Sequence, residues 1–243
     1  MDPRHLEHGH HPREIAQRLE QGPKASYLRD WVYGGIDGTV TTFAVVAGVV
    51  GAGLSTKTLL ILGAANLLAD GFSMAAANYS GSKAEAEEYE HVRLMEERHV
   101  EHAPEGEREE IRQIFRAKGF EGDALEAAVK VITGKRERWI ETMMTEEHGL
   151  PPINRSSGRA ALTTFLAFIV CGSVPLIPFT LGLPASVTAS TIMTGLTFFS
   201  IGSLRSRWSP MPWWRAGLET FAIGITAAAM AYLVGVVLGG LVA

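Results

Sequence analysis

Four long stretches almost free of charge constrain this chain more than any other feature. All 22 Lys and Arg fall outside Val32–Thr56, Thr58–Ser82, Ala160–Leu204 and Ala216–Ala243, whose only charged residues are Asp37, Asp70 and Glu219. A helix that crosses a bilayer needs about 20 mainly apolar residues. Ala160–Leu204 runs for 45 residues, room for two such helices divided by the turn-forming Pro178, Gly182 and Pro184. The expectation is an all-α integral membrane protein with five transmembrane helices, because only a helix satisfies its own backbone in hydrocarbon.

Several classes drop out. A net charge of -4 without a basic cluster beside an aromatic platform argues against nucleic acid as a partner. A lone Cys171 inside a span excludes a disulfide scaffold. The first apolar stretch follows about thirty polar residues and reads as a retained span rather than a secretory signal.

Orientation follows from Lys and Arg in the connecting segments. The N-terminal tail carries Arg4, Arg13, Arg18, Lys24 and Arg29, the segment from Lys83 to Arg159 carries thirteen, and the loop between spans 4 and 5 carries Arg205, Arg207 and Arg215; the loop between spans 1 and 2 has only Lys57. By the positive-inside rule the tail, the central segment and the span 4–5 loop are cytoplasmic. The expected division is a tail at 1–31, spans 1 and 2 at 32–82, a cytoplasmic helical insert at 83–154 and spans 3 to 5 at 155–243.

The central segment is acidic, with 18 Asp and Glu against 13 Lys and Arg. No Gly or Pro interrupts Ser82–Ala103, so span 2 is predicted to continue as one long helix that stops at Pro104. Further helices are predicted over Glu105–Lys118, from a cap at Asp123 to Thr133, and over Lys135–His148. Ile111, Ile114, Phe115, Leu125, Val129, Ile132 and Trp139 recur at three- and four-residue spacing and give these helices buried stripes. No strand and no internal repeat is expected.

The spans contain no Lys, Arg or His, so Asp37, Asp70 and Glu219 have no base within the membrane. A charged Asp at mid-span costs roughly 2.5–3.5 kcal/mol on insertion scales. These groups are therefore protonated, hydrated in a cavity or holding a cation; Glu219, near the start of span 5, is as readily an interfacial residue that snorkels. Asn66, Asp70, Met74 and Asn78 recur every four residues and share one face of span 2. Beside them Ala65, Ala69, Ser73, Ala77 and Gly81 form a stripe that permits close packing of another span. With span 1 running outward and span 2 returning, Asp37 and Met74 fall at one depth. A carboxylate with a thioether suits Fe(II), Mn(II) or Zn(II) rather than Mg(II) or Ca(II), although for Met74 alone packing is the plainer account.

In the insert, Glu96 and His99 are spaced i, i+3, as are Glu107 and Glu110, while Met143 and Met144 precede Glu147 by four and three. Each set lies on one helical turn, yet charged residues on such a helix are ordinarily a solvated face. Glu96-x-x-His99 also matches half of a carboxylate-bridged di-iron site. The second such pair, Glu88-x-x-His91, is on the same helix, which weakens that reading. The tail run His8-Gly9-His10-His11 offers at most transient metal contact.

These residues meet a known family. Tyr33-Gly34-Gly35-Ile36-Asp37-Gly38 resembles the first-span signature of the vacuolar iron transporters, Ser73-Met74-Ala75 the second, and Trp139–Glu147 the end of their metal-binding domain. The resemblance covers nearly the whole chain and implies a homodimer with its pore between the two first and second spans. It implies intramembrane metal ligands at Asp37 and Met74, with Asp37 also serving the proton. It further implies metal capture in the insert by Glu96, His99, Glu107, Glu110, Met143, Met144 and Glu147. His99 replaces a family Glu, a change toward Zn(II) tolerance, and Asn78 stands where an acid is usual, with Asp70 two turns deeper.

The resulting expectation is a proton-coupled exporter of cytosolic divalent metal, Fe(II) first and Mn(II) next, for iron homeostasis and detoxification. It is a secondary transporter and not an enzyme, with no prosthetic group and with Asp37, Asp70, Met74, Asn78 and Glu219 along the pathway. Its partners are a second copy, the lipid bilayer, metal ions and protons. It would sit in the plasma (inner) membrane of a bacterium or a vacuole-like membrane of a eukaryote. The alternative is a membrane-anchored metal-storing or metal-oxidising protein in which the insert does the work.

Overall fold

The computed structural model describes residues 9–22 and 25–242; Arg4, His8 and Lys24 of the tail lie outside them. Among the described residues there are helices and no strand. In chain order they are α1 (Pro12–Gln21), α2 (Leu28–Gly51), α3 (Thr56–His102), α4 (Pro104–Ala117), α5 (Gly122–Thr133), α6 (Arg136–Glu146), α7 (Ser157–Ser173), α8 (Ile177–Thr180), α9 (Ser186–Arg205) and α10 (Trp213–Val242). A 3₁₀ turn at Val174–Leu176 joins α7 to α8. Five stretches are long and apolar enough to cross a membrane: Leu28–Gly51, Thr56–His102, Ser157–Thr180, Ser186–Trp208 and Trp213–Leu241.

The first span begins at Leu28, one turn before the apolar stretch at Val32, and so takes Asp30 into its first turn as a buried residue. The tail holds α1, which buries no side chain. The expected cap at Asp123 is also corrected. Glu121 occupies that position without a side-chain capping bond, and Asp123 lies in the first turn, where its charge meets the amide end of the helix.

The chain divides into two compact units, one of residues 1–80 and 155–243, the other of residues 81–154. In the first, α2 packs against α7, α9 and α10. Large apolar side chains such as Leu62, Leu68, Phe72, Leu166, Leu196 and Leu233 point outward, as a lipid-solvated bundle requires, while the interior combines an apolar core around Phe43, Phe168 and Phe198 with glycines and buried threonines at the helix crossings. Thr39, Thr164 and Thr220 return their hydroxyls to the carbonyls of Gly35, Ala160 and Ala216 at 2.6, 3.1 and 3.1 Å, so none is left unpaired.

Two glycines set how closely α2 and α7 approach. A Cβ at Gly34 would lie 2.3 Å from the carbonyl oxygen of Thr164, and one at Gly38 would lie 2.5 Å from that of Phe168. Backbone carbonyls cannot move aside, so only hydrogen fits at these crossings. Gly38→Val is expected to cost about 1–3 kcal/mol through overpacking, read as a lower unfolding midpoint in detergent. Gly240→Ala, where nothing lies within 4 Å, serves as the unchanged comparison.

In the second unit the predicted stripes meet in one core. Ile111 of α4, Leu125 and Val129 of α5, and Trp139 and Met143 of α6 are buried together, with Val100 of α3 packed against them.

Candidate metal centre and transport residues

The cluster in residues 81–154 starts from Pro104. Its ring ends α3 and restarts the chain as α4, with Ala103 between them in a non-helical conformation. The reversal brings Glu107, in the first turn of α4, to the last turns of α3. His99 Nδ1 lies 3.5 Å from Glu107 Oε1 and 3.7 Å from Glu96 Oε1.

The other side comes from the end of α6. Gly149 takes φ 67°, a left-handed conformation that costs glycine little. The amides of His148 and Leu150 then donate to the carbonyls of Met143 and Met144 at 3.3 and 2.8 Å. This wrap aims His148 Nε2 at Glu96 Oε1, 3.0 Å away, with Glu147 Oε2 at 3.6 Å.

Two groups of three potential ligands therefore share Glu96. Glu96 with His99 and Glu107 forms one, Glu96 with Glu147 and His148 the other, and within each the ligand atoms lie within 4.8 Å of one another. Among the described residues the spans contain no comparable group of Asp, Glu, His or Cys. Glu96 and Glu107 are only 2% and 4% exposed, and each keeps its Oε2 buried without a hydrogen-bond partner. Such an oxygen is costly unless a proton or a cation satisfies it. Burial, followed by the charges of Glu110, Glu96 and Glu147, pushes the Glu107 carboxyl up to about 7. Burial and the charge of Glu110 also raise Glu147. Carboxylate and imidazole together suit Fe(II), Mn(II) and Zn(II).

A pH dependence follows, with a definite sign. Because its folded pKa exceeds the unfolded value, protonated Glu107 stabilises the metal-free insert at acid pH, and that contribution fades as pH rises through about 7. A metal ion must displace the proton, so affinity is expected to rise with pH up to about 7 and then level off. Calorimetry of the full-length protein in two buffers of different ionisation enthalpy should record proton release at pH 6 that shrinks at pH 8. Equal release in Glu107→Gln would refute the assignment.

The remaining insert residues fall as follows. Glu110 is exposed and acts on the cluster through its charge. Met143 and Met144 are fully buried, Met143 within the apolar core. Glu88 and His91 are exposed and join neither group. His10 and His11 of the tail are exposed. His148 escaped the sequence reading, which placed it inside the last helix; the signal was Gly149, whose left-handed turn reverses the chain at that point.

In the spans, Asp37 is half-buried on α2 and Asp70 exposed on α3, close enough for their charges to interact. Neither has a base beside it among the described residues. Met74 packs against the apolar core that includes Phe168 and Leu67. Asn66 donates to Thr41 at 3.2 Å. Asn78 Nδ2 lies 2.8 Å from Asp30 Oδ1 and 2.6 Å from Thr164 Oγ1, joining three spans, and Arg155 pairs with the same Asp30 oxygen. An acid thus does lie beside Asn78, contributed by span 1. Asp30 was missed because it sits between Arg29 and Trp31, just outside the charge-free stretch. The expectation that no base reaches the span acids fails for Glu219. Arg205, in the last turn of α9, forms an ion pair with it, since the α9–α10 connection is short and returns the chain beside that turn.

Ala65, Ala69, Ser73, Ala77 and Gly81 are all exposed. The face of α3 that packs within the protomer is instead the one bearing Leu59, Gly63, Leu67, Gly71 and Ala75.

Five membrane-length helices define a multi-pass membrane protein; two of their acids have no basic partner among the described residues, and residues 81–154 carry buried carboxylates beside partly exposed imidazoles. Residues 28–236 match the VIT family, and the chain belongs to that family. It is similar to vacuolar iron transporter 1 of Eucalyptus grandis, 30% identical over 228 residues that cover 90% of this chain and 91% of the relative. It is also similar to vacuolar iron transporter 1 of Arabidopsis thaliana, 29% identical over 208 residues covering 84% and 83%. The protein of that name from Oryza sativa is 28% identical over 229 residues covering 93% and 88%. The family is one of transporters, so the chain is a membrane transporter and not an enzyme.

Proposed function

We propose that this protein is a proton-coupled exporter of divalent metal, Fe(II) first and Mn(II) next, working as a homodimer. The observation that carries the reading is the contrast among the three span acids. Glu219 has Arg205 beside it, whereas Asp37 and Asp70 have only each other among the described residues. Unpaired carboxylates in hydrocarbon are costly enough to be retained for a task, and alternate binding of a proton and a metal is such a task. The names of the relatives support iron as the cargo.

In this mechanism the insert faces the cytoplasm and captures metal through Glu96, His99, Glu107, Glu147 and His148, with Glu110 adding negative charge. Metal then passes to Asp37 and Met74 of two protomers that meet along the exposed small-residue face of α3. A proton from the more acidic far side displaces it. Because Glu219 is paired, it belongs to the interface rather than to the pathway. Wild-type protein in liposomes should take up Fe(II) and Mn(II) only with a counterflow of protons. Metal uptake that proceeds unchanged when the pH gradient is collapsed, without any proton movement, would replace the exchanger by a channel. The alternative of a di-iron oxidase gains nothing from Glu88 and His91, which stand outside the cluster.

A further inference from the structure

At one end of the bundle the start of α2, the residue run before α7 and the end of α9 enclose a cavity of about 590 Å³. Its polar wall is made of Arg29, Arg155 and Arg205 with Ser26, and none of its lining residues is acidic. Each of two arginines is held by a single carboxylate that does not line the cavity, Arg155 by Asp30 and Arg205 by Glu219. Arg29 has no acidic partner among the described residues. A guanidinium offers five donors, so most of this donor capacity is unspent. Arg155 Nε is buried with no hydrogen-bond partner.

The other walls are apolar. Ile36 lies one turn deeper along α2, while Tyr33 and Trp208 are half-exposed or more, aromatic residues of the kind that sit at the headgroup level of a bilayer. A cationic pocket opening onto such a wall at the end of a membrane bundle matches an anionic headgroup carried on a hydrocarbon chain. Guanidinium groups bind phosphate in a bidentate manner and are weakly hydrated, so a group of three suits a phosphate at a membrane surface. We propose that the cavity binds the phosphate of an anionic phospholipid between Arg29, Arg155 and Arg205, with an acyl chain lying along Tyr33 and Ile36. Neither Asp37 nor any residue of the metal cluster lines the cavity, and the proposal does not depend on which ion is carried.

The test is native mass spectrometry of the full-length protein released from nanodiscs of equal phosphatidylglycerol and phosphatidylcholine. Phosphatidylglycerol should be retained selectively. Arg29→Gln, which breaks no ion pair among the described residues, should weaken that retention about fivefold, the effect of one arginine near an anionic surface, and Arg29→Lys should restore part of it. A second variant, Arg205→Gln with Glu219→Gln, removes a cavity arginine together with its partner and should weaken retention further without leaving a lone charge. Inorganic phosphate should not displace the lipid. Equal retention of the two lipids, or selective retention unaltered in both variants, would overturn the proposal. Displacement by inorganic phosphate, with an equal stabilisation by phosphate alone, would overturn the lipid and assign the cavity to a free anion.

Discussion

Proteoliposomes carrying Asp37→Asn are expected to show neither metal uptake nor metal-driven proton movement, although the variant folds. Asparagine matches aspartate in size, so packing on α2 is preserved where Asp37 is half-buried. What disappears is the capacity to exchange a proton for a cation. With no base beside it, the bare anion is costly in hydrocarbon, and the carboxyl must be occupied by one or the other. In the proposed exchange, metal arriving from the cytoplasm would displace the proton and a proton arriving from the far side would displace the metal, so that one group would couple the two fluxes. Transport in Asp37→Asn should therefore fall to the level of protein-free liposomes for both ions.

Asp70 makes the expectation sharper, because its charge acts on Asp37. Asp70→Asn removes that repulsion without removing the exchanging group, and should shift the pH dependence of transport more than it weakens metal binding. Metal-driven proton flux at the wild-type rate in Asp37→Asn would sink the mechanism and move the proton to Asp70. Glu219 is a poor substitute in that case, since Arg205 already holds it.

The spans were legible because bilayer thickness imposes a length and because charge is excluded over that length; no tertiary information is needed for either. The insert helices were legible for a similar local reason, with Pro104, Gly119 and Gly149 as punctuation and the apolar stripes at helical spacing. Pairings across the fold were not legible. Asp30 with Asn78, and Arg205 with Glu219, are separated by 48 and 14 residues, and nothing in either segment names its partner. Both surprises sit at span ends, where charge counting assigns a residue to a loop and the helix then carries it one turn inward. His148 shows the limit within one element. Gly149 was legible as a stop, and a helix run up to it includes His148; the helix in fact ends at Glu146, and the left-handed turn at Gly149 aims the imidazole at Glu96.

Glu96 is the residue both ligand groups share, and its removal should abolish metal binding by the insert while sparing transport at high metal. The expected loss in affinity is at least the roughly 10–100-fold that accompanies removal of a mere outer-shell partner of a metal. Glu96→Gln is the informative change, because it keeps the volume of a side chain 2% exposed and can still meet His148 Nε2 at the 3.0 Å contact. It also removes a buried carboxylate whose Oε2 has no partner, so the metal-free variant should unfold at a temperature no lower than wild type, and higher at pH 8, where Glu107 is ionised as well. Metal should then add no further stabilisation, since a ligand stabilises a fold only by binding it. Uptake in proteoliposomes should drop at scarce metal and recover at saturating metal if, as proposed, the insert gathers the ion and Asp37 carries it. Unchanged affinity in Glu96→Gln would remove the cluster as the capture site. Loss of uptake at every metal concentration, in a variant that still folds, would instead make the insert the working part of the protein and leave the spans as its anchor.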